Sequence, residues 1–318
     1  MQKLSRREFL KNSSALAASA ASLDYCQSLF ATRSEPDLKF PTAPRERLAV
    51  ATWPFRMFLE SPANRWGRDP KLPGMDMKEF GAMVVQTFGL RNIEPLDQHF
   101  RSTDMAYVHA LREAMEKVGA RVVNIPVGVG ASFYDPDPAK RQEAVREGKR
   151  WVDIAVVLNS PSIRTAIQGP LELTPDVDRA AESLGQVAAY GAENDVIVTL
   201  ENDNNWTEDP FFLVKILEKV NNPYLRALPD FCNSMLTHDQ EFNNRALEAL
   251  FQHAFSIAHV KDSELDGKGK LVTVDVAKCF EIAKASGFRG YYSLEWEGQD
   301  EPYGGTQKLI DLSLKYLG

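Results

Sequence analysis

From about residue 46 to its end, this chain alternates short apolar runs with longer amphipathic ones, and that alternation restricts the fold more than any other feature. The apolar runs are RLAVAT, LRNIEP, ARVVNIPV, PSIRTAI, DVIVTLEND, LRALPDFCN, FSIAHVKD and YYSLEWEG. The last four, and the others in large part, are apolar along their length before they end in polar residues. Strands covered on both faces read this way, as in a parallel sheet. Helical periodicity fills the intervals near 76–88, 103–118, 138–158, 175–193, 208–220, 239–253, 274–286 and 305–317. In 103–118, Met105, Val108, Leu111, Met115 and Val118 recur at three- and four-residue steps, and Gly119 stands at the stop position. Thr174 before Pro175 predicts another helix start, and Thr273 and Gly287 are expected to bracket a further helix.

Eight strand and helix pairs predict one α/β domain, a (β/α)8 TIM barrel over 46–318 preceded by a leader at 34–45. A doubly wound open sheet is the alternative, but it ordinarily carries a glycine-rich phosphate loop after its first strand. Here the first strand runs into Trp53-Pro54-Phe55-Arg56. The aromatic, proline-rich segment that continues from there to about residue 76 is expected either to roof the pocket or to pack over neighbouring loops.

The opening MQKLSRREFLKNSSALAASAASL resembles a bacterial twin-arginine export signal, with Ser5, Arg6, Arg7, Phe9, Leu10 and Lys11 in the matching places. The resemblance implies that residues 1–33 are an address removed after export, that the export machinery is a partner, and that the mature protein is periplasmic. Several small-residue pairs between Ala15 and Ala31 offer cleavage points. Cys26 suggests a lipoprotein, but Tyr25 before it is bulky where acylation sites have a small residue. No run reaches the roughly 20 apolar residues a bilayer span needs, so no stable membrane anchor is expected. Only Cys232 and Cys279 remain in the mature part, too few for a disulfide framework. The net charge of −7 argues against a nucleic-acid partner, which needs clustered Lys and Arg.

Glu201, Asp230, His259 and Glu295 stand at the tails of the last four apolar runs, 29, 29 and 36 residues apart. Residues at the carboxyl ends of barrel strands project into one mouth, so four such side chains can converge. Three carboxylates buried together without a cation would be very costly. Three oxygens and one nitrogen, with no thiolate, suit one divalent ion: Mn²⁺ first, with Mg²⁺, Co²⁺ or Zn²⁺ as alternatives. Around this set, Lys261 lies two residues beyond His259 on the same side of the strand and is a candidate for a substrate oxygen. Trp53, His99 and Arg164 are further substrate-binding candidates, beside Glu94 after strand two. Glu297 alternates onto the face of Glu295 and competes with it as ligand. His109 and His253 are expected at the surface, His238 near the mouth, and Cys232 as a packed thiol.

The runs TLEND, PDFCN, HVKD and SLEWEG resemble those of the xylose isomerase-like TIM barrels, in particular the sugar phosphate isomerase/epimerase group. That group also contains ketose 3-epimerases and inosose dehydratases, and endonuclease IV is a more distant relation. The resemblance implies that Glu201, Asp230, His259 and Glu295 are the metal ligands and that Glu201 and Glu295 double as the catalytic acid and base. It also allows a homo-oligomer assembled through barrel helices or rims. One departure stands out: Asn233 occupies the place of a second histidine, which disfavours a second metal but leaves a side chain able to bind a hydroxyl. The expected activity is a metal-dependent sugar isomerase or epimerase that abstracts a proton next to a carbonyl. A lyase or hydrolase acting on oxidised (keto) glycosides, and a non-catalytic sugar-binding barrel, are the competing readings.

Overall fold

The computed structural model describes residues 34–64, 67–170, 172–203, 208–298 and 301–318, so the expected export signal lies outside the described residues. Its strands are β1 (Leu48–Ala51), β2 (Asn92–Glu94), β3 (Arg121–Val122), β4 (Pro126–Val127), β5 (Ser162–Thr165), β6 (Ile197–Glu201), β7 (Leu225–Leu228), β8 (Ile257–Val260), β9 (Ser263–Leu265), β10 (Leu271–Thr273) and β11 (Tyr291–Leu294). The α-helices are α1 (Met77–Phe88), α2 (Met105–Val118), α3 (Pro138–Leu158), α4 (Val177–Glu193), α5 (Pro210–Val220), α6 (Gln240–Phe251), α7 (Val276–Ala285) and α8 (Pro302–Leu317). Two parallel sheets, ordered β3-β2-β1-β11-β8 and β4-β5-β6-β7, make the eight staves of one barrel. The seam between β7 and β8 is closed by bridges pairing Ala227 with Ala254 and Asp230 with His259.

The third stave is not the single strand that ARVVNIPV predicts. Its first half, β3, pairs with β2, and its second half, β4, pairs with β5, so the stave changes neighbour near Asn124. Pro126 has no N–H to give to a ladder, which is consistent with the break falling there. The antiparallel hairpin β9–β10, inserted after β8, was not among the expected strands. It places Glu264 at the barrel mouth.

Alternation along each strand sorts the side chains. Ile93, Ile163, Val198, Leu200, Ala258, Val260, Tyr292 and Leu294 join the large core between strands and helices. Their neighbours Glu94, Ser162, Thr199, Glu201, His259 and Ser293 take the opposite parity, towards the barrel interior, and all are buried. Ala49, Val123, Leu228, Ile257 and Tyr291 form a second, small apolar cluster. Phe40 of the leader packs edge-on against Tyr291 and Phe255 beneath it.

Aspartates start most of the helices. Asp76 forms a capping box with Glu79, and the carboxylates of Asp137, Asp176, Asp209, Asp239 and Asp275 each accept an N–H of the first turn. Asp176 and Asp275 therefore take the places expected of Thr174 and Thr273. A shorter acid accepts from the first turn strongly and also suits the positive end of the helix dipole. Gly89 and Gly119 end α1 and α2 with left-handed φ of 64° and 68°.

The barrel closes tightly beside β11. A Cβ at Gly290 would stand 2.4 Å from the Ser256 carbonyl oxygen, which accepts the Tyr291 N–H at 2.8 Å. Gly290→Ala is therefore expected to lower stability by about 1–3 kcal/mol, seen as a lower urea midpoint with an unchanged slope. A midpoint equal to that of the unaltered chain would contradict the packing described.

Candidate metal centre

Glu201 is the last residue of β6 and His259 lies within β8, while Asp230 and Glu295 lie just past β7 and β11. One ligand atom from each of the four falls within 4.8 Å of all the others, and all four residues are buried. His259 Nδ1 stands 2.8 Å from Glu201 Oε1, 3.3 Å from Glu295 Oε2 and 3.8 Å from Asp230 Oδ2. The backbone fixes Asp230: its Oδ1 accepts the N–H groups of Cys232 and Asn233 at 2.8 and 2.7 Å. Its Oδ2 is fully buried and has no hydrogen-bond partner among the described residues, the Lys261 ammonium standing 3.7 Å away. A buried carboxylate oxygen without a donor, aimed at two further carboxylates and a ring nitrogen, fits a bound cation.

Electrostatics point the same way. Burial raises the Glu201 pKa, but Arg164 and His259 outweigh it and bring the group down to about 2. Glu295 is also held low, since Lys261 and His259 overcome its burial. For Asp230 burial prevails over Lys261, and the pKa rises to about 7. Burial disfavours a charged His259, yet the negative charges of Glu201, Glu94 and Glu295 hold its pKa well above the usual histidine range. Without a metal, a proton on His259 thus adds a positive charge at the centre of these acids, beside those of Arg164 and Lys261. One divalent ion can take that place, and the donor set of three carboxylates and an imidazole fits such an ion.

Glu201 and Glu295 are braced from outside the set. Arg164 Nε donates to Glu201 Oε2 at 2.6 Å and its Nη2 to Asp203 Oδ2 at 2.6 Å. Lys261 Nζ lies 3.2 Å from Glu295 Oε2, 2.6 Å from Glu297 Oε1 and 2.8 Å from Asn233 Oδ1. Asn233 Nδ2 reaches Glu201 Oε1 at 3.3 Å. A cavity of about 330 Å³ opens above the cluster, and Trp53, Arg164, Glu201, His259, Lys261 and Glu295 are among its walls.

Several expected residues are placed differently. Glu297 lines the cavity but pairs with Lys261, while Glu295 approaches His259. His99 is not among the residues lining the cavity; it is fully buried under Trp53, stacked on it at 6.5 Å, and bonded to Thr52 Oγ1 at 2.8 Å. Burial lowers its pKa to about 3, so it is a neutral support for Trp53. Asn233 sits behind the ligands rather than on the wall. In the segment after β1, Trp53 reaches the cavity, whereas Phe55 packs among Phe80, Phe88 and Tyr303. His109 is exposed, His238 stacks on Phe242, and His253 is partly buried, near the end of α6. Cys232 and Cys279 are buried free thiols whose pKa burial pushes up. Glu94 is the residue whose position sequence reasoning underrated: it is fully buried and touches His259.

A family model describing xylose isomerase-like TIM barrels matches residues 77–317. The chain belongs to that family. Among solved structures, it is similar to D-psicose 3-epimerase from Clostridium cellulolyticum H10, solved with D-tagatose, at 16% identity and a TM-score of 0.67, covering 85% of this chain and 99% of that one. A xylose isomerase-like TIM barrel protein from Mycobacterium smegmatis, in complex with magnesium, gives 16% identity and a TM-score of 0.65 over 87% of this chain and 98% of that one. A 3-keto-D-glucoside 4-epimerase from E. coli gives 15% and 0.59 over 85% and 98%. These likenesses establish the barrel fold. No curated protein matches the chain in sequence.

Because His259 and Asp230 hold protons near neutrality that metal ligands must give up, binding of Mn²⁺ at pH 7 is expected to release about one to two protons. Affinity should rise with pH through the neutral range. Calorimetry in buffers of different ionisation enthalpy measures the release; uptake of protons, or none exchanged, would contradict this electrostatic description.

Proposed function

We propose that the protein is an exported, divalent-metal-dependent sugar epimerase or isomerase that moves a proton at the carbon next to a carbonyl. The observation carrying this reading is that Glu201 and Glu295 reach one cavity from different staves, each held by its own cation, Arg164 for one and Lys261 for the other. Two independently braced carboxylates can divide the work: one takes the proton from carbon and the other returns a proton to that carbon. A divalent ion held by Glu201, Asp230, His259 and Glu295 would supply electrostatic stabilisation of an enediolate-like oxygen. Arg164 keeps Glu201 ionised and oriented, Lys261 does the same for Glu295, and Trp53, held between contacts to Arg56 and His99, adds an aromatic group to the cavity wall. A non-catalytic sugar-binding barrel has no need of two such carboxylates.

The walls favour an uncharged substrate, since they offer carboxyl groups, of which Asp97 and Glu264 are pushed towards the neutral form by burial. Asp97, Asp203, Glu264 and Glu297 line the cavity beside the ligands, and both cations there are already engaged by carboxylates. TIM barrels often hold phosphate in the loops after the seventh and eighth staves; here those loops bring Glu264 and Glu297. A free keto-sugar fits these walls better than a sugar phosphate or uronate. Resemblance of residues 1–33 to a twin-arginine signal supports a periplasmic location, where unphosphorylated sugars are met.

With Mn²⁺ and a panel of free ketoses and keto-glycosides in deuterated water, one deuteron is expected to enter at the carbon beside the carbonyl, with the substrate's composition otherwise conserved. Fragmentation or loss of water would favour the lyase reading, and no exchange with any sugar would favour binding alone. Glu201→Gln and Glu295→Gln are each expected to reduce exchange by at least 10²–10⁴-fold, the range for a positioned proton-transfer group. Exchange at the unaltered rate in either variant would remove that residue from the mechanism.

A further inference from the structure

We propose that Glu94 is a positioning residue for the metal centre: by accepting the Nε2–H of His259 it keeps the Nδ1 lone pair turned towards Glu201, Asp230 and Glu295. This rests on the reading of those four residues as metal ligands.

The geometry behind it runs through three further staves. Glu94 ends β2, and both of its carboxylate oxygens lie 3.0 Å from His259 Nε2, on the side of the ring away from the acid cluster. Glu94 Oε1 also accepts from Asn124 Nδ2 at 2.7 Å, and Asn124 Oδ1 accepts from Ser162 Oγ at 2.7 Å. Glu94, Asn124 and Ser162 are all fully buried.

Each link fixes the next. The Glu94 carboxylate can only accept, so it meets the Asn124 amide N–H and leaves Oδ1 to the Ser162 hydroxyl, which also lies 3.1 Å from the Val123 carbonyl oxygen. Glu94 in turn requires a proton on His259 Nε2, which selects the tautomer whose free lone pair is Nδ1. Nδ1 is the nitrogen 2.8 Å from Glu201. A carboxylate on the far nitrogen of a ligating imidazole also raises its basicity, and loss of such partners typically weakens metal binding by 10- to 100-fold.

Manganese titration of the full mature protein followed by electron paramagnetic resonance, with chelator competition if needed, tests the idea. Glu94→Gln, nearly isosteric, is expected to weaken Mn²⁺ binding by about 10- to 100-fold in a protein that still unfolds cooperatively without metal. Ser162→Ala, two links further out, should have a smaller effect in the same direction. A Glu94→Gln protein that binds Mn²⁺ as tightly as the unaltered one, or a lowered midpoint with unchanged affinity, would overturn the assignment and leave Glu94 a packing residue.

A second measurement needs no variant. In the Zn²⁺-loaded protein, long-range ¹H–¹⁵N spectra of the His259 ring are expected to show a protonated Nε2 and a metal-bound Nδ1. Ligation through Nε2 would overturn the proposal while leaving the metal centre intact. If the unaltered protein binds no ion at all, the proposal falls together with the ligand assignment on which it rests.

Discussion

Three carboxylates buried within a few ångströms of one another cannot persist without positive charge among them, and much of the architecture at the barrel mouth answers that demand. Glu201, Asp230 and Glu295 are each at most 6% exposed. Arg164 and Lys261 approach from two sides and His259 from below, so the acids stay ionised or share protons according to which cation is nearest. Asp230 exposes the tension: its Oδ1 is held by two backbone N–H groups, while its Oδ2 faces the cluster with no hydrogen-bond donor among the described residues and with Lys261 Nζ at 3.7 Å.

The barrel makes this concentration of charge possible because it divides labour by parity. One set of alternate residues packs the helix-facing core, where each fully buried Val, Leu, Ile or Phe contributes about 1.5–3 kcal/mol. The other set is free to be polar. Asn124, Ser162, Thr199 and Ser293 fill the interior at no exposure, and the charged groups lie above them towards the cavity. Stability and chemistry thus occupy opposite faces of the same strands. A substitution on one face is felt on the other through strand position.

The barrel was legible because eight apolar runs and eight helical periods leave few other ways to bury both faces of a parallel sheet. The four residues that meet at the barrel mouth were legible because each stands at the tail of an apolar run. Other features depend on information that a single sequence does not carry locally. Glu94 ends a strand of three residues, too short for its parity to stand out, and its role appears only when β2 and β8 face each other across the barrel. The split third stave turns on which neighbour each half meets, and the β9–β10 hairpin is a short insertion whose Leu265 and Leu271 mimic ordinary loop residues. His99 looked available for substrate because histidines at strand ends often are, whereas packing under Trp53 and a bond to Thr52 hold it as a neutral support.

Anomalous diffraction from crystals soaked in Mn²⁺, recorded on both sides of the manganese absorption edge, bears most directly on the proposed cation among four staves. One strong peak is expected about 2 Å from a carboxylate oxygen of Glu201, Asp230 and Glu295 and from Nδ1 of His259. No peak at the barrel mouth, or a peak held by other residues while these four point elsewhere, would contradict it.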